Sequence, residues 1–183
     1  MKNTLLIIIF GLTVTLQSCG QTNTKTQSDI PKTETYTNEI YRFSAVIPEN
    51  WKLFGQIKND TLNHYAIADW GLPKIYSELE KTDIENSISI TAYHRPEITS
   101  VESLIASEYF RIDPTETALE VDSSSSNSRM IYTTTTNGIK FKGKSYYIFE
   151  NEIGYIITFM ATPGTYDKNI ILFEEFYNEI RIL

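Results

Sequence analysis

Asn137-Gly138 sits between two β-rich runs, and this dipeptide constrains the fold more than any other stretch of the chain. A type I′ turn needs positive φ at both central residues, which Asn and Gly tolerate, so the pair predicts a two-residue hairpin. Ser128 to Thr136 forms one arm in this reading and Ile139 to Glu150 the other. Asn151-Glu152 offers a second tight turn, after which Ile153 to Thr162 runs back. The expectation is a three-stranded antiparallel meander. Pro163-Gly164 should break the third strand, and a helix is expected from about Tyr166 to Arg181. Ile170, Phe173, Tyr177 and Ile180 recur there at helical spacing, with Glu174, Glu175 and Glu179 outside.

Upstream, Tyr41, Phe43, Ala45 and Ile47 alternate along one face of a strand that Pro48-Glu49-Asn50 stops. Trp51 to Phe54 resumes an extended segment, and Gly55 is expected to end it. His64 to Trp70 fits strand or helix, and Gly71-Leu72-Pro73 breaks it. Pro73 suits the first turn of a short helix over Lys74 to Lys81. Asn86 to Arg95 reads as a strand with Ile88, Ile90, Ala92 and His94 on one face. Thr99 and Glu102 have capping-box spacing, with Thr99 as N-cap of a helix reaching about Phe110. Its apolar stripe is Val101, Leu104, Ile105 and Tyr109. Thr117 to Asp122 is a short strand, and the serine run 123–126 a loop. Hairpin-paired strands with helices between them imply an α+β fold: a central antiparallel β-sheet with helices packed on it.

The N-terminus carries a different message. Lys2 precedes an apolar run from Leu5 to Leu16, the layout of a secretory signal and too short for a comfortable membrane span. Leu16-Gln17-Ser18-Cys19 resembles the bacterial lipoprotein signal, the lipobox. The resemblance implies removal of residues 1–18 and acylation of Cys19, and two or more acyl chains make a stable anchor. It places the domain outside the cytoplasm on a bacterial envelope membrane, with the outer membrane expected. Residues 19–37 are polar, Thr-rich and without apolar periodicity, so they read as a flexible tether to one domain over 38–183. Cys19 is the only cysteine, so no disulfide is available and the domain must hold itself by core packing.

Tyr41-Arg42-Phe43-Ser44-Ala45-Val46-Ile47-Pro48-Glu49-Asn50-Trp51 resembles the opening of the Mog1/PsbP-like fold. The close is similar too: Gly154 to Phe159, the turn Thr162-Pro163-Gly164, and a terminal helix. The resemblance implies an α-β-α sandwich, helices on both faces of the sheet. Members of that fold are mostly binding or assembly modules, one branch associating with a photosystem and another with a small GTPase. No catalytic residue set belongs to the fold.

The chemistry legible in the residues is sparse. The net charge of −7 disfavours nucleic acid as a partner. His64 and His94 lie far apart in sequence, and no metal-ligand spacing, nucleophile elbow or phosphate loop is present, so no metal, cofactor or catalytic residue is assigned. Lys140, Lys142 and Lys144 alternate, which puts them on one face of a strand as a positive stripe that suits an acidic partner or deters edge aggregation. Trp70 suits the rim of a binding surface. The expected role is a non-catalytic module that binds an envelope protein or assists assembly. A carrier with an apolar pocket between sheet and helix is the alternative, and a hydrolase built around His64 or His94 the second.

Overall fold

The computed structural model describes residues 32–109, 117–122, 129–136 and 139–183. Cys19, the serine run and the Asn137-Gly138 turn lie outside them. In chain order the elements are β1 (Thr33–Asn38), β2 (Phe43–Pro48), β3 (Lys52–Asp60), β4 (Tyr65–Gly71), β5 (Ile75–Ser77), β6 (Thr82–Ile84), β7 (Ser87–Tyr93), α1 (Val101–Tyr109), β8 (Thr117–Asp122), β9 (Arg129–Thr136), β10 (Ile139–Glu150), β11 (Ile153–Ala161), α2 (Pro163–Asn178) and β12 (Arg181–Ile182).

Seven strands form one antiparallel sheet in the order β3-β4-β7-β11-β10-β9-β8. The expected meander is its β9-β10-β11 portion. Thr136 pairs with Ile139, and Glu150 with Ile153. Asn151 and Glu152 both have positive φ, 52° and 64°, as a type I′ turn demands. A second sheet, β1-β2-β12, and a small hairpin, β5-β6, complete the strands.

Alternation decides which side chains meet. Ala66, Ala68 and Trp70 of β4, Ile88, Ile90 and Ala92 of β7, and Tyr155, Ile157 and Phe159 of β11 share one face of the large sheet and are buried. Against them pack Phe43, Ala45 and Ile47 of β2 and Phe173 and Phe176 of α2. Phe159 and Phe173 stack with ring centroids 5.6 Å apart, and the Tyr155 hydroxyl donates to the Tyr41 carbonyl at 2.9 Å, tying the two sheets. The opposite face carries a smaller core of Tyr93, Tyr147, Ile156, Ile98 and Leu104, the last from α1. Helices therefore cover both faces.

Several local expectations fail for tertiary reasons. Residues 33–37, assigned by composition to the tether, belong to β1, paired along β2 from Thr33↔Pro48 to Asn38↔Phe43. Half-buried Tyr36 supplies its anchor, meeting Trp70 edge-on at 5.2 Å. Gly55 does not end β3; the register slips between Leu53 and Gly55, and the strand continues through this bulge. The helix expected over Lys74 to Lys81 is the β5-β6 hairpin, in which Ile75 pairs with Ile84 and Lys81 takes φ 56°. β12 has no sequence signal beyond an Ile, and forms because Arg181 and Ile182 reach β2.

Helix starts follow the same logic. In α1 the cap is shifted by one residue from the expected Thr99/Glu102 pair. Ser103 N–H donates to Ser100 Oγ at 3.2 Å, and Ser100 N–H to Ser103 Oγ at 3.0 Å. α2 begins at Pro163 rather than Tyr166, since proline at the first helical position gives up an N–H that has no partner there anyway. Its N-cap, Thr162, makes no side-chain cap. The carboxylate comes from Glu80 in the β5-β6 turn, which accepts from Gly164 N–H at 3.2 Å and from the Ser77 hydroxyl. Burial works to raise the Glu80 carboxyl, but Ser77, Gly164 and Thr162 outweigh it and hold it below its ordinary value. A depressed carboxyl stabilises the fold above its unfolded value, and that contribution is lost as pH falls through the folded one. Glu80→Ala is expected to cost about 1 kcal/mol at neutral pH, as loss of a helix cap does. Thermal melts at pH 7 and pH 3 check this: the gap between variant and wild type should close in acid.

Candidate ligand-binding cleft

Three loops meet at one end of the large sheet. The β3-β4 loop is folded by Asp60, whose Oδ1 accepts from Leu62 N–H and Asn63 N–H, both at 2.9 Å. Oδ2 accepts from the Asn63 side-chain amide at 3.0 Å. This Asx-type turn delivers His64 at φ 53°, in the left-handed region. The Asn63 amide and backbone hold the Asp60 carboxyl below its ordinary range. The loop after β7 carries His94, Arg95, Pro96 and Ile98. It is stitched to the first loop where His94 N–H donates to the His64 carbonyl at 3.0 Å and Arg95 Nε to the Asn63 carbonyl at 2.9 Å. The third loop is the Asn151-Glu152 turn.

Gly154 allows the closeness of these parts. A Cβ there would stand 2.9 Å from Leu104 and 3.1 Å from Ile98, so a bare backbone lets α1 and the β7-α1 loop settle on β11. Between the loops lies an open cavity of about 640 Å³, walled by His64, His94, Arg95 and Glu152 over Ile98 and Phe149. A second hollow of about 410 Å³ adjoins it on the sheet face beneath Tyr65, Thr91 and Tyr93. Arg95 lines both. Its guanidinium lies over the Tyr93 ring, 4.6 Å from the centroid, and is thereby oriented as well as tethered.

The sequence-level candidates divide on burial. Trp70 is only 2% exposed and packs against Tyr36 and Phe176; it is a core residue, not a rim aromatic. Lys140, Lys142 and Lys144 do share a face, but it is the face α2 covers. Lys144 is buried, pairs with Glu174 and lies over the Tyr146 ring. Burial works to lower the Lys144 ammonium, but the hydrogen bonds to Glu174 and Tyr146 hold it above its ordinary value. Lys142 lies over Tyr166, 4.0 Å from the ring centroid, and Lys140 alone of the three is exposed. The stripe is therefore no open surface: two of its ammonium groups are bound to α2. The histidines, set aside on spacing, are the residues the fold brings together. Arg95 carried no sequence signal; it occupies the position after the strand-end histidine.

Where α2 meets the small sheet, a cavity of about 180 Å³ lies beside Trp51 and Phe176. Small-molecule pockets commonly run to roughly 300–1,000 Å³, a range that both loop-end hollows reach. Among the described residues no group of three or more His, Cys, Asp and Glu is placed to hold a metal ion. No helix among them is long and apolar enough to cross a membrane.

No protein-family model matches the sequence, and no curated protein matches it. Solved structures do. Cyanobacterial PsbP (CyanoP) from Synechocystis sp. PCC 6803 superposes with a TM-score of 0.54 at 10% identity, covering 92% of this chain and 99% of that one. A protein of unknown function from Pseudomonas aeruginosa, PA94, gives 0.50 at 13% identity over 78% of this chain and 92% of its own. At such identities the likeness is one of fold. The chain has an α+β, PsbP-like fold.

Proposed function

We propose that this chain is a lipid-anchored, extracytoplasmic binding module that engages a protein of the cell envelope through the cleft at the loop end of its sheet. One observation carries the reading: three separately encoded loops are fixed into an open, ligand-sized cavity by turns with positive φ and cross-loop hydrogen bonds. Loops held this way are preorganised, which lowers the entropic cost of binding. The lipobox-like Leu16-Gln17-Ser18-Cys19 supplies the anchor in this reading, and the tether gives the domain reach. Cross-linking in intact cells, read by mass spectrometry, tests anchor and partner together. A reproducible partner is expected with the wild type, and a reduced yield with Cys19→Ala. Absence of any reproducible partner sinks the proposal.

One observation favours a second reading, hydrolysis: His64 and His94, far apart in sequence, line the same cavity beside Glu152. Replacing both histidines with Ala and finding turnover of ester or amide substrates unchanged removes it.

A further inference from the structure

We infer that the cleft recognises a carboxylate borne by a peptide segment with an apolar side chain, Arg95 supplying the main contact. This rests on the reading of the chain as a protein-binding module and names the chemistry of its partner. The argument starts from Arg95. Its Nε is committed to the Asn63 carbonyl and its plane to the Tyr93 ring, which leaves the terminal nitrogens as a fork of fixed orientation. Among the described residues no carboxylate lies within ion-pair distance of that fork. A preorganised guanidinium on a cavity wall matches carboxylate geometry by two parallel hydrogen bonds.

The rest of the cavity narrows the class further. His64 and His94 each bring at least one ring N–H donor in any protonation state. Ile98 and Phe149 give an apolar floor. Glu152 is an acceptor on the same cavity, and for a bare carboxylate ligand it is only repulsive. A peptide resolves that conflict, because its backbone N–H groups donate to Glu152 while its carboxylate meets Arg95. A fatty acid has no such donor. A carboxylate, amide N–H groups and an apolar side chain occur together at an apolar C-terminus or around an acidic side chain, and both sources share the recognised chemistry.

Titration calorimetry on the whole chain carrying Cys19→Ala tests this with four probes. They are an acetylated peptide ending Ser-Leu-Phe as the free acid, the same peptide amidated, an amidated version with Glu in place of Ser, and decanoate. Binding of the free acid is expected, on the order of tenfold tighter than its plain amide, about the worth of one charge-assisted contact. Arg95→Gln should bring the acid down to the amide, with a Tm near that of the wild type. Arg95→Lys, which keeps the charge without the fork, should fall between, and Lys140→Gln should change nothing. If the Glu-bearing amide binds as tightly as the free acid, the recognised carboxylate is a side chain's, and the inference stands. Equal binding of acid and plain amide overturns it. So does full affinity in a folded Arg95→Gln, no peptide binding at millimolar concentration, or binding of decanoate alone. In cells, a partner captured equally by wild type and Arg95→Gln removes the cleft and leaves the module. Peptide binding without any cellular partner does the reverse.

Discussion

Trp70→Ala should lower the unfolding free energy by about 3–5 kcal/mol, the range for truncating a large buried aromatic. Trp70 stands where three parts of the fold meet. It is on β4 of the large sheet, its ring meets Tyr36 of β1 at 85°, and Phe176 of α2 lies 5.8 Å away. Its cross-strand partners are Leu53 and Ile88. The small sheet and α2 therefore rest on the same indole, and removing it leaves a void that none of the three can close alone. Total stability of an ordinary domain is roughly 5–15 kcal/mol, so the variant loses a large part of it. A fall in Tm of roughly 6–20 °C is expected from that cost at this chain length. Circular dichroism melts decide the point. A rim aromatic behaves oppositely: Tm unchanged, partner capture lost.

The second large effect is at Lys144. Its ammonium pairs with Glu174, which also accepts from the Tyr146 hydroxyl at 2.6 Å. Tyr146 in turn stacks on Tyr177 with centroids 3.9 Å apart, so the pair fixes α2 against β10. Lys144→Ala leaves Glu174 facing buried rings without a counter-charge. Breaking a fully buried pair costs roughly 3–5 kcal/mol, and the Glu174 side chain is 35% exposed, so water screens part of that and about 1–3 kcal/mol is expected. Lys144→Met with Glu174→Leu should cost less than the sum of the two single changes, because the apolar pair leaves no stranded charge. Denaturant unfolding of the four species gives the coupling. A sum that simply adds means the two groups do not interact.

The legible parts of this chain were those set by neighbours in sequence. Period-two alternation placed Phe43, Ala45 and Ile47, and Ile88, Ile90 and Ala92, on buried faces, as the structure has them. The turn at Asn151-Glu152 was readable because its backbone demand is local. Other features came undone where a distant partner outweighed local preference. Lys74 to Lys81 follows Pro73 and carries polar residues compatible with a helix, but Glu80, which accepts from the Ser77 hydroxyl, also accepts from Gly164 N–H at the start of α2, and the segment is a hairpin. The tether composition of residues 33–37 hid most of a strand, because its ladder partner is β2 and Tyr36 packs on Trp70.

The cleft shows the same division. The sequence by itself determined which side chains alternate, that Asn151-Glu152 is a tight turn and that Lys140, Lys142 and Lys144 point one way. Only the tertiary structure decided that this way is toward α2, since alternation names two faces and not which is covered. It also decided that His64 and His94 are neighbours. The β4-β7 register pairs Tyr65 with Tyr93, so the residues just beyond the ladder face each other. No hairpin joins β4 to β7; the β5-β6 excursion separates them, and their register follows from burying Ala66, Ala68 and Trp70 with Ile88, Ile90 and Ala92 on one face.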